Sequence, residues 1–240
     1  MSKQYKTELH CHTAEASFCA DEKGADTIEK FIAHGYDTVV ITNHLQHYRV
    51  GENAEFATYE DYVDFVYDSV DLARDAARGR INVIAAFELN HISSRNDYLV
   101  FGLTREMTKA YNVTVGDLSD SFNYIRSCGG VIIQAHPFRH GMTVINARKL
   151  DGYEVYNTHN STTVMDDAAL TWAKGMDALL AERASNAGKT HPGLILIAGD
   201  DNHHAADIPK TAILTDKPIT TSEELVSVLK NKNFTILREE

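Results

Sequence analysis

Two histidines one residue apart, His10 and His12, close a short β-patterned run near the amino terminus. Similar side chains end five later runs: His44, Glu88 with Asn90, His136, Asn157 with His159, and Asp201 with His203. Imidazole nitrogens mixed with carboxylate oxygens hold zinc, manganese or iron, whereas magnesium and calcium favour shells made of oxygen. Taken singly, each piece has a bland reading. A His-x-His pair can be two hydrogen-bonded side chains at a barrel mouth, His136 before Pro137 a strand cap, and Asp201 and His203 ordinary turn residues after Gly199. Glu88 resists such a reading, because a carboxylate among Ala85, Ala86, Phe87 and Leu89 is costly to bury unless it is paired or bound to a cation. Their joint position at run ends argues for one shared metal centre.

The elements that must position these groups alternate along the chain. Strand patterns cover Tyr5 to His12, Asp37 to Asn43, Ile81 to Asn90, Tyr98 to Leu103, Val131 to His136, Gly152 to Tyr156 and Leu194 to Ala198. The clearest helix spans Tyr59 to Arg78, with Tyr59, Tyr62, Val63, Val66, Val70, Ala73 and Ala77 on one stripe, a Thr58/Asp61 capping pattern and Gly79 at its end. Further helices are predicted over Ala25 to His34, Val115 to Ser127, Met165 to Asn186 with a break at Gly175, and Ser222 to Asn231 behind Thr221 and Glu224. Strand–helix alternation without a linker predicts an α/β chain of one domain, residues 1–240, with a parallel sheet closed into a barrel in preference to an open doubly wound sheet. In such barrels catalytic groups converge at the carboxyl ends of the strands. Strand alternation predicts that His10 and His12 point inward with Leu9 and Cys11 on the opposite face, and that Glu88 shares its face with Ala86 and Ile84.

Composition narrows the function classes. The 240 residues are 43% hydrophobic and 24% charged, and no apolar run is long enough to span a bilayer, so no membrane partner is expected. With 23 Lys and Arg against 34 Asp and Glu, the formal charge is −11, and no basic block exists to follow a phosphate backbone; long nucleic acid is not an expected partner. The segment Met1 to Lys6 lacks an apolar stretch, and three cysteines (Cys11, Cys19, Cys128) are an odd number, which predicts a cytoplasmic protein with reduced thiols. Cys11, on the face away from the histidines, is expected to pack rather than ligate.

The segments ELHCHT (Glu8 to Thr13), ITNH (Ile41 to His44), FELN (Phe87 to Asn90), IIQAHP (Ile132 to Pro137), GYEVYN (Gly152 to Asn157) and AGDDNH (Ala198 to His203) occur in this order over nearly the whole chain. Together they resemble the polymerase and histidinol phosphatase (PHP) superfamily of metal-dependent phosphoesterases. The resemblance implies a TIM-like, distorted (β/α)7 barrel holding two or three divalent ions (zinc, manganese or iron) and hydrolysing phosphate esters. It also implies that His10, His12, Glu88 and Asp201 hold one ion, that Glu88 bridges to a second held with His136, and that His44 and His203 belong to a third position. Departures from the family pattern are Asn43 in place of the usual Asp, Phe18 and Cys19 where a histidine follows the first pair, and Thr104 and Arg105 where another follows the fourth strand. Asp21, His47, His91, His159 and His204 are the substitutes on offer, and two ions are expected rather than three.

A water held between two such ions ionises near neutral pH and would attack phosphorus in line, so no Ser or Cys nucleophile is needed. Arg139, three residues beyond His136, is the expected phosphate grip, and His203 or His159 the expected proton donor to the leaving group. Bound divalent ions reverse the local field, so the overall negative charge does not oppose a small phosphorylated substrate. Tyr48, Phe138, Tyr153 and Tyr156 are candidate stacking surfaces. Two other readings stand beside the phosphatase. An amidohydrolase also opens with His-x-His, but usually needs a strand-end lysine or glutamate bridge, and Lys109 ends no strand. A non-catalytic metal-binding regulatory module would keep the barrel and lose turnover.

Overall fold

The computed structural model describes residues 3–159 and 162–239; of the segment Met1 to Lys6, the first two residues lie outside that range. In chain order the elements are β1 (Tyr5–Cys11), α1 (Gly24–Ala33), β2 (Thr38–Ile41), β3 (His44–Gln46), α2 (Tyr59–Ala77), β4 (Asn82–Ala85), β5 (Phe87–Asn90), β6 (Asp97–Phe101) and α3 (Arg105–Ala110). They continue with α4 (Leu118–Ser127), β7 (Val131–Gln134), β8 (Gly152–Asn157), α5 (Thr163–Asn186), β9 (Ile195–Gly199), β10 (Thr211–Thr215), α6 (Ser222–Asn231) and β11 (Thr235–Arg238).

The expected closed parallel barrel is corrected in two respects. First, the strands form two sheets, ordered β11-β10-β1-β2-β4 and β3-β5-β6-β7-β8-β9, and no continuous ring of ladder bonds closes among the described residues. The predicted run Asp37 to Asn43 breaks after Ile41, and Ile81 to Asn90 breaks at Ala86. Ala86 N donates to Ile41 O (2.9 Å) and Glu88 N to Thr42 O (3.1 Å), so the β2–β4 pair bends into the β3–β5 pair and carries the chain from one sheet to the other. At the opposite seam a single bridge joins Cys11 to Asn202, with His12 N donating to Asn202 O at 2.9 Å. Second, the sheets are mixed. β6 runs antiparallel to both β5 and β7, because the six residues between Asn90 and Asp97 suit a hairpin and not a parallel crossover. β10 and β11 add antiparallel strands at the edge of β1.

Apolar side chains from both sheets fill the interior, where Leu9, Val40, Ile84, Leu99, Ile133 and Ile197 meet Leu225 and Leu229 of α6. Outside, Ile28 and Phe31 of α1 with Val70 and Ala73 of α2 cover Val39, Ile41 and Val83. The apolar stripe predicted for α2 is buried throughout, and Thr58 Oγ1 accepts a hydrogen bond from Asp61 N at 3.2 Å. The left-handed C-cap is Arg78 (φ 49°), one residue before the predicted Gly79, and α5 runs unbroken through Gly175. A register shift between Glu8 and Cys11 overturns simple alternation in β1: Leu9 joins the interior while Cys11 packs under α1.

One buried cation ties this scaffold to the loop that follows β1. Arg49 donates to Ala16 O (2.7 Å) and Glu55 Oε2 (2.6 Å), and its guanidinium lies 4.0 Å from the Phe18 ring centroid and 4.8 Å from that of Tyr62. Arg49→Ala leaves a buried carbonyl unpaired and an aromatic cage empty, and is expected to cost about 2–4 kcal/mol. Urea denaturation checks it.

Candidate metal centre

At the top of the interior, seven side chains from five segments meet. Their donor atoms form three groups, each with members within 4.8 Å of one another: His10, Glu88 and His136; His12, His44 and His203; and His10, His12 and Asp201. His10 and His12 lie on and just after β1, Glu88 on β5, His44 at the start of β3, and His136, Asp201 and His203 just beyond β7 and β9. Glu88 stands in the middle. Its Oε1 lies 3.2 Å from His136 Nε2 and 3.5 Å from His10 Nε2, while its Oε2 lies 3.0 Å from His44 Nδ1 and 3.3 Å from His12 Nε2. Asp201 Oδ1 faces His10, His12 and His203 at 3.3, 3.4 and 3.2 Å.

The remaining nitrogens of the first histidine pair are engaged elsewhere, which decides how many ions the donors can serve. His10 Nδ1 lies 2.9 Å from Glu154 Oε1, and His12 Nδ1 lies 3.0 Å from Ser17 Oγ, so each ring offers only Nε2, and these two atoms face one another at 3.1 Å. Two imidazole nitrogens so opposed require a proton or a cation between or beside them. The groups His10–Glu88–His136 and His12–His44–His203 share no residue, so both can be filled at once; the third borrows from both. The donor set fits divalent metal ions, with one oxygen of Glu88 turned to each of these two groups.

Backbone geometry supports the same convergence. His136 (φ 27°) and Asp201 (φ 53°) hold left-handed conformations, which cost non-glycine residues free energy and cluster where the surrounding structure imposes a site. Glu154 fixes one of them: its Oε2 accepts from His136 N (2.8 Å) and Asn157 Nδ2 (2.9 Å) while its Oε1 meets His10. Gly199 makes room, since a Cβ there would lie 2.4 Å from His10 Cβ and 2.5 Å from Glu154 Oε1. Glu154→Gln is therefore expected to weaken metal binding by about 10–100-fold without emptying the centre, as loss of an outer partner to a ligating histidine does. Isothermal titration with zinc reads it.

Charge is balanced internally. Burial opposes a charge on His10, but Asp201, Glu154 and Glu88 outweigh it and hold the imidazole well above its ordinary pKa. Burial likewise opposes charge on His136 and His44, and in both Glu88 reverses the outcome. Burial would raise Glu88 and Asp201, yet the neighbouring imidazoles, His10 foremost, keep both well below the carboxylate range. His203 and His159, where burial prevails, are shifted down.

The centre opens into a cavity of about 410 Å³ lined by Cys19, His44, Asn90, Arg139, His159 and His203 among others. Larger clefts of about 680 and 760 Å³ lie elsewhere and gather none of the seven donors. Arg139 reaches the cavity with Nη2 3.3 Å from Asp97 Oδ2. His159 stacks on His203 with ring centroids 4.7 Å apart, and its Nδ1 lies 3.7 Å from Asp207 Oδ2. Of the substitutes on offer, His91 is bonded to Ser93, His47 to Asn90, and His204 pairs with Asp21; none of the four, nor His159, enters the three groups. Tyr153 is fully buried, Tyr156 lies under Arg238 and Phe138 leans on Trp172, whereas Tyr48 is 59% exposed.

Sequence reasoning did not single out Glu154, Ser17 or Asp97. Glu154 lies inside the GYEVYN segment, and its signal was a carboxylate in an otherwise apolar strand, as for Glu88. Asp97 escaped because β6 is inverted, which brings its first residue, not its last, to the rim. Asn43 turns away from the centre: its Oδ1 accepts from Thr13 N and Ser17 Oγ, and its Nδ2 donates to Thr13 Oγ1 and Ser69 Oγ, bracing the loop behind His12.

No family model matches the sequence, and no curated protein matches it. Solved structures do share the fold. A protein from Bifidobacterium adolescentis assigned as a metal-dependent phosphoesterase is 13% identical with a TM-score of 0.53, covering 96% of this chain and 98% of that one. An amidohydrolase from Chromobacterium violaceum, solved with sulfate and without metal, is 14% identical at a TM-score of 0.51 over 97% of each chain. The lesion-specific endonuclease EndoQ from Pyrococcus furiosus is 12% identical at a TM-score of 0.56, covering 95% of this chain and 56% of that one. At these identities the likeness is one of fold. Among the described residues, no helix is long and apolar enough to cross a membrane.

Proposed function

We propose that this chain is a metal-dependent hydrolase of the PHP type acting on small phosphomonoesters, with two divalent ions of the zinc, manganese or iron class. The observation that carries the reading is that five of the seven donors, His44, Glu88, His136, Asp201 and His203, line the same cavity as Arg139. Ions bound there lower the pKa of coordinated water and neutralise charge on non-bridging oxygens. The side chains supply the rest. His10 and His136 take the Oε1 side of Glu88, and His12 and His44 the Oε2 side. Arg139, oriented by Asp97, offers its guanidinium fork to two phosphoryl oxygens. His159 lies outside the three donor groups, keeps one side to the cavity and is available to deliver a proton to the departing alkoxide. His203, which falls within a donor group, is the second candidate for that step. A cavity of about 410 Å³ suits a sugar phosphate or a nucleoside monophosphate, and the −11 charge does not favour a long polynucleotide.

Neighbours of the same fold include an amidohydrolase, but among the described residues no lysine lines this cavity, and Lys109 is committed to Asp64 on the outer face at 2.6 Å. Metal-reconstituted protein is expected to release inorganic phosphate from an aryl phosphate and to lose that activity on chelation. Arg139→Ala is expected to lower kcat/KM by about 10–100-fold with metal content unchanged. Turnover of amides or lactones but not phosphate esters would replace the phosphatase with the amidohydrolase; metal binding without turnover of either would leave a regulatory module.

A further inference from the structure

The thiol of Cys19 stands among the donors without a place in the chemistry described above. Its Sγ lies 3.1 Å from His203 Nε2, and it lines the cavity together with His203 and His44. Bond lengths of about 2.3 Å to sulfur and 2.0–2.1 Å to nitrogen set the donors of one tetrahedral zinc roughly 3.5 Å apart, so the sulfur stands near the spacing of a fellow ligand from His203. His12, His44 and His203 already form a group whose donor atoms lie within 4.8 Å of one another. The loop that carries Cys19 is held on both sides of it. Ser17 Oγ accepts from His44 N at 3.2 Å and meets His12 Nδ1, while Asp21 N donates to His203 O at 2.9 Å. Arg49 holds Ala16 O from behind. The loop that carries the sulfur is thus bonded to all three members of the histidine group, and the sulfur itself meets His203.

We propose that Cys19 supplies a sulfur donor to the ion held by His12, His44 and His203, making that position a mixed sulfur–nitrogen site distinct from the nitrogen–oxygen site of His10, Glu88 and His136. The inference rests on the two-ion reading given above. Its chemical consequence is unequal positions: thiolate favours zinc and iron over manganese, so manganese fills the Glu88–His136 side and competes poorly beside Cys19.

Cobalt(II) tests this independently of turnover, because a cobalt–thiolate bond produces an intense near-ultraviolet charge-transfer band that nitrogen and oxygen ligands do not. Metal-free, reduced full-length protein is titrated with cobalt, and bound metal is counted by equilibrium dialysis. The expected result is a band in the wild type that is lost in Cys19→Ser and retained in Cys11→Ser and Cys128→Ser, with cobalt still bound to Cys19→Ser at the other site. Cobalt bound without the band, or a band that survives Cys19→Ser, overturns the assignment while leaving the metallohydrolase reading standing. A wild type that binds no cobalt overturns both.

Discussion

Glu88→Gln is expected, on the two-ion phosphatase reading proposed above, to remove at least one ion per chain and to reduce phosphate release by about a thousandfold or more, which corresponds to roughly 4 kcal/mol of transition-state stabilisation. The magnitude follows from position. Glu88 is buried, and its two oxygens face four imidazoles, His10 and His136 on one side and His12 and His44 on the other. Glutamine keeps the volume but supplies one neutral oxygen in place of two anionic ones. The group His10–Glu88–His136 then retains two histidines, and the low pKa of the acid, set against burial by His10 and His44, has no counterpart in an amide. Elemental analysis of the purified variant beside its turnover checks the result. Full metal content with full activity would remove Glu88 from the centre.

The second large effect is on pH. His10, His44 and His136 are raised above the ordinary imidazole value of about 6.5, and each must lose its proton before it can ligate. Each proton displaced makes metal affinity rise about tenfold per pH unit below that group's pKa, so release of two to three protons gives about 100–1000-fold per unit at the steepest. The metal-free fold responds in the opposite sense. A group whose folded pKa is raised stabilises the fold fully below its unfolded value, and that contribution is lost as pH climbs through the folded value. Glu88 and Asp201, lowered in the fold, contribute above the carboxylate range and lose it as pH falls through their depressed values. The metal-free protein should therefore lose thermal stability on the alkaline side of about pH 6.5, while the gain in Tm on adding zinc grows over the same interval. Chelator competition and thermal melts across that interval measure both trends; an affinity independent of pH would contradict the proton balance of the cluster.

Much of the centre was legible because its donors stand at the ends of short apolar runs, where a histidine or an acid has few neighbours to explain it. His10, His12, His44, Glu88, His136, Asp201 and His203 all carry that local signature, and the three donor groups contain no residue outside this set. What could not be read depends on strand direction and on contacts across long stretches of chain. Asp97 reaches the rim only because β6 runs antiparallel, and the periodicity of Tyr98 to Leu103 is the same in either direction. Closure failed for a similar reason: the bend at Ala86 and the break after Ile41 lie within runs whose hydrophobic pattern is continuous. Glu154 holds His10 across 144 positions, and Cys19 meets His203 across 184, so neither partnership leaves a trace in spacing.

The seam at Asn202 joins parts of the chain that lie far apart in sequence. Hairpin β5–β6 forms from neighbouring sequence, but His12 N reaches Asn202 O only when opposite ends of the chain have come together. During synthesis the first histidine pair is made before the last donors, Asp201 and His203. A centre that needs all seven side chains cannot assemble on a nascent fragment that lacks Asp201 and His203.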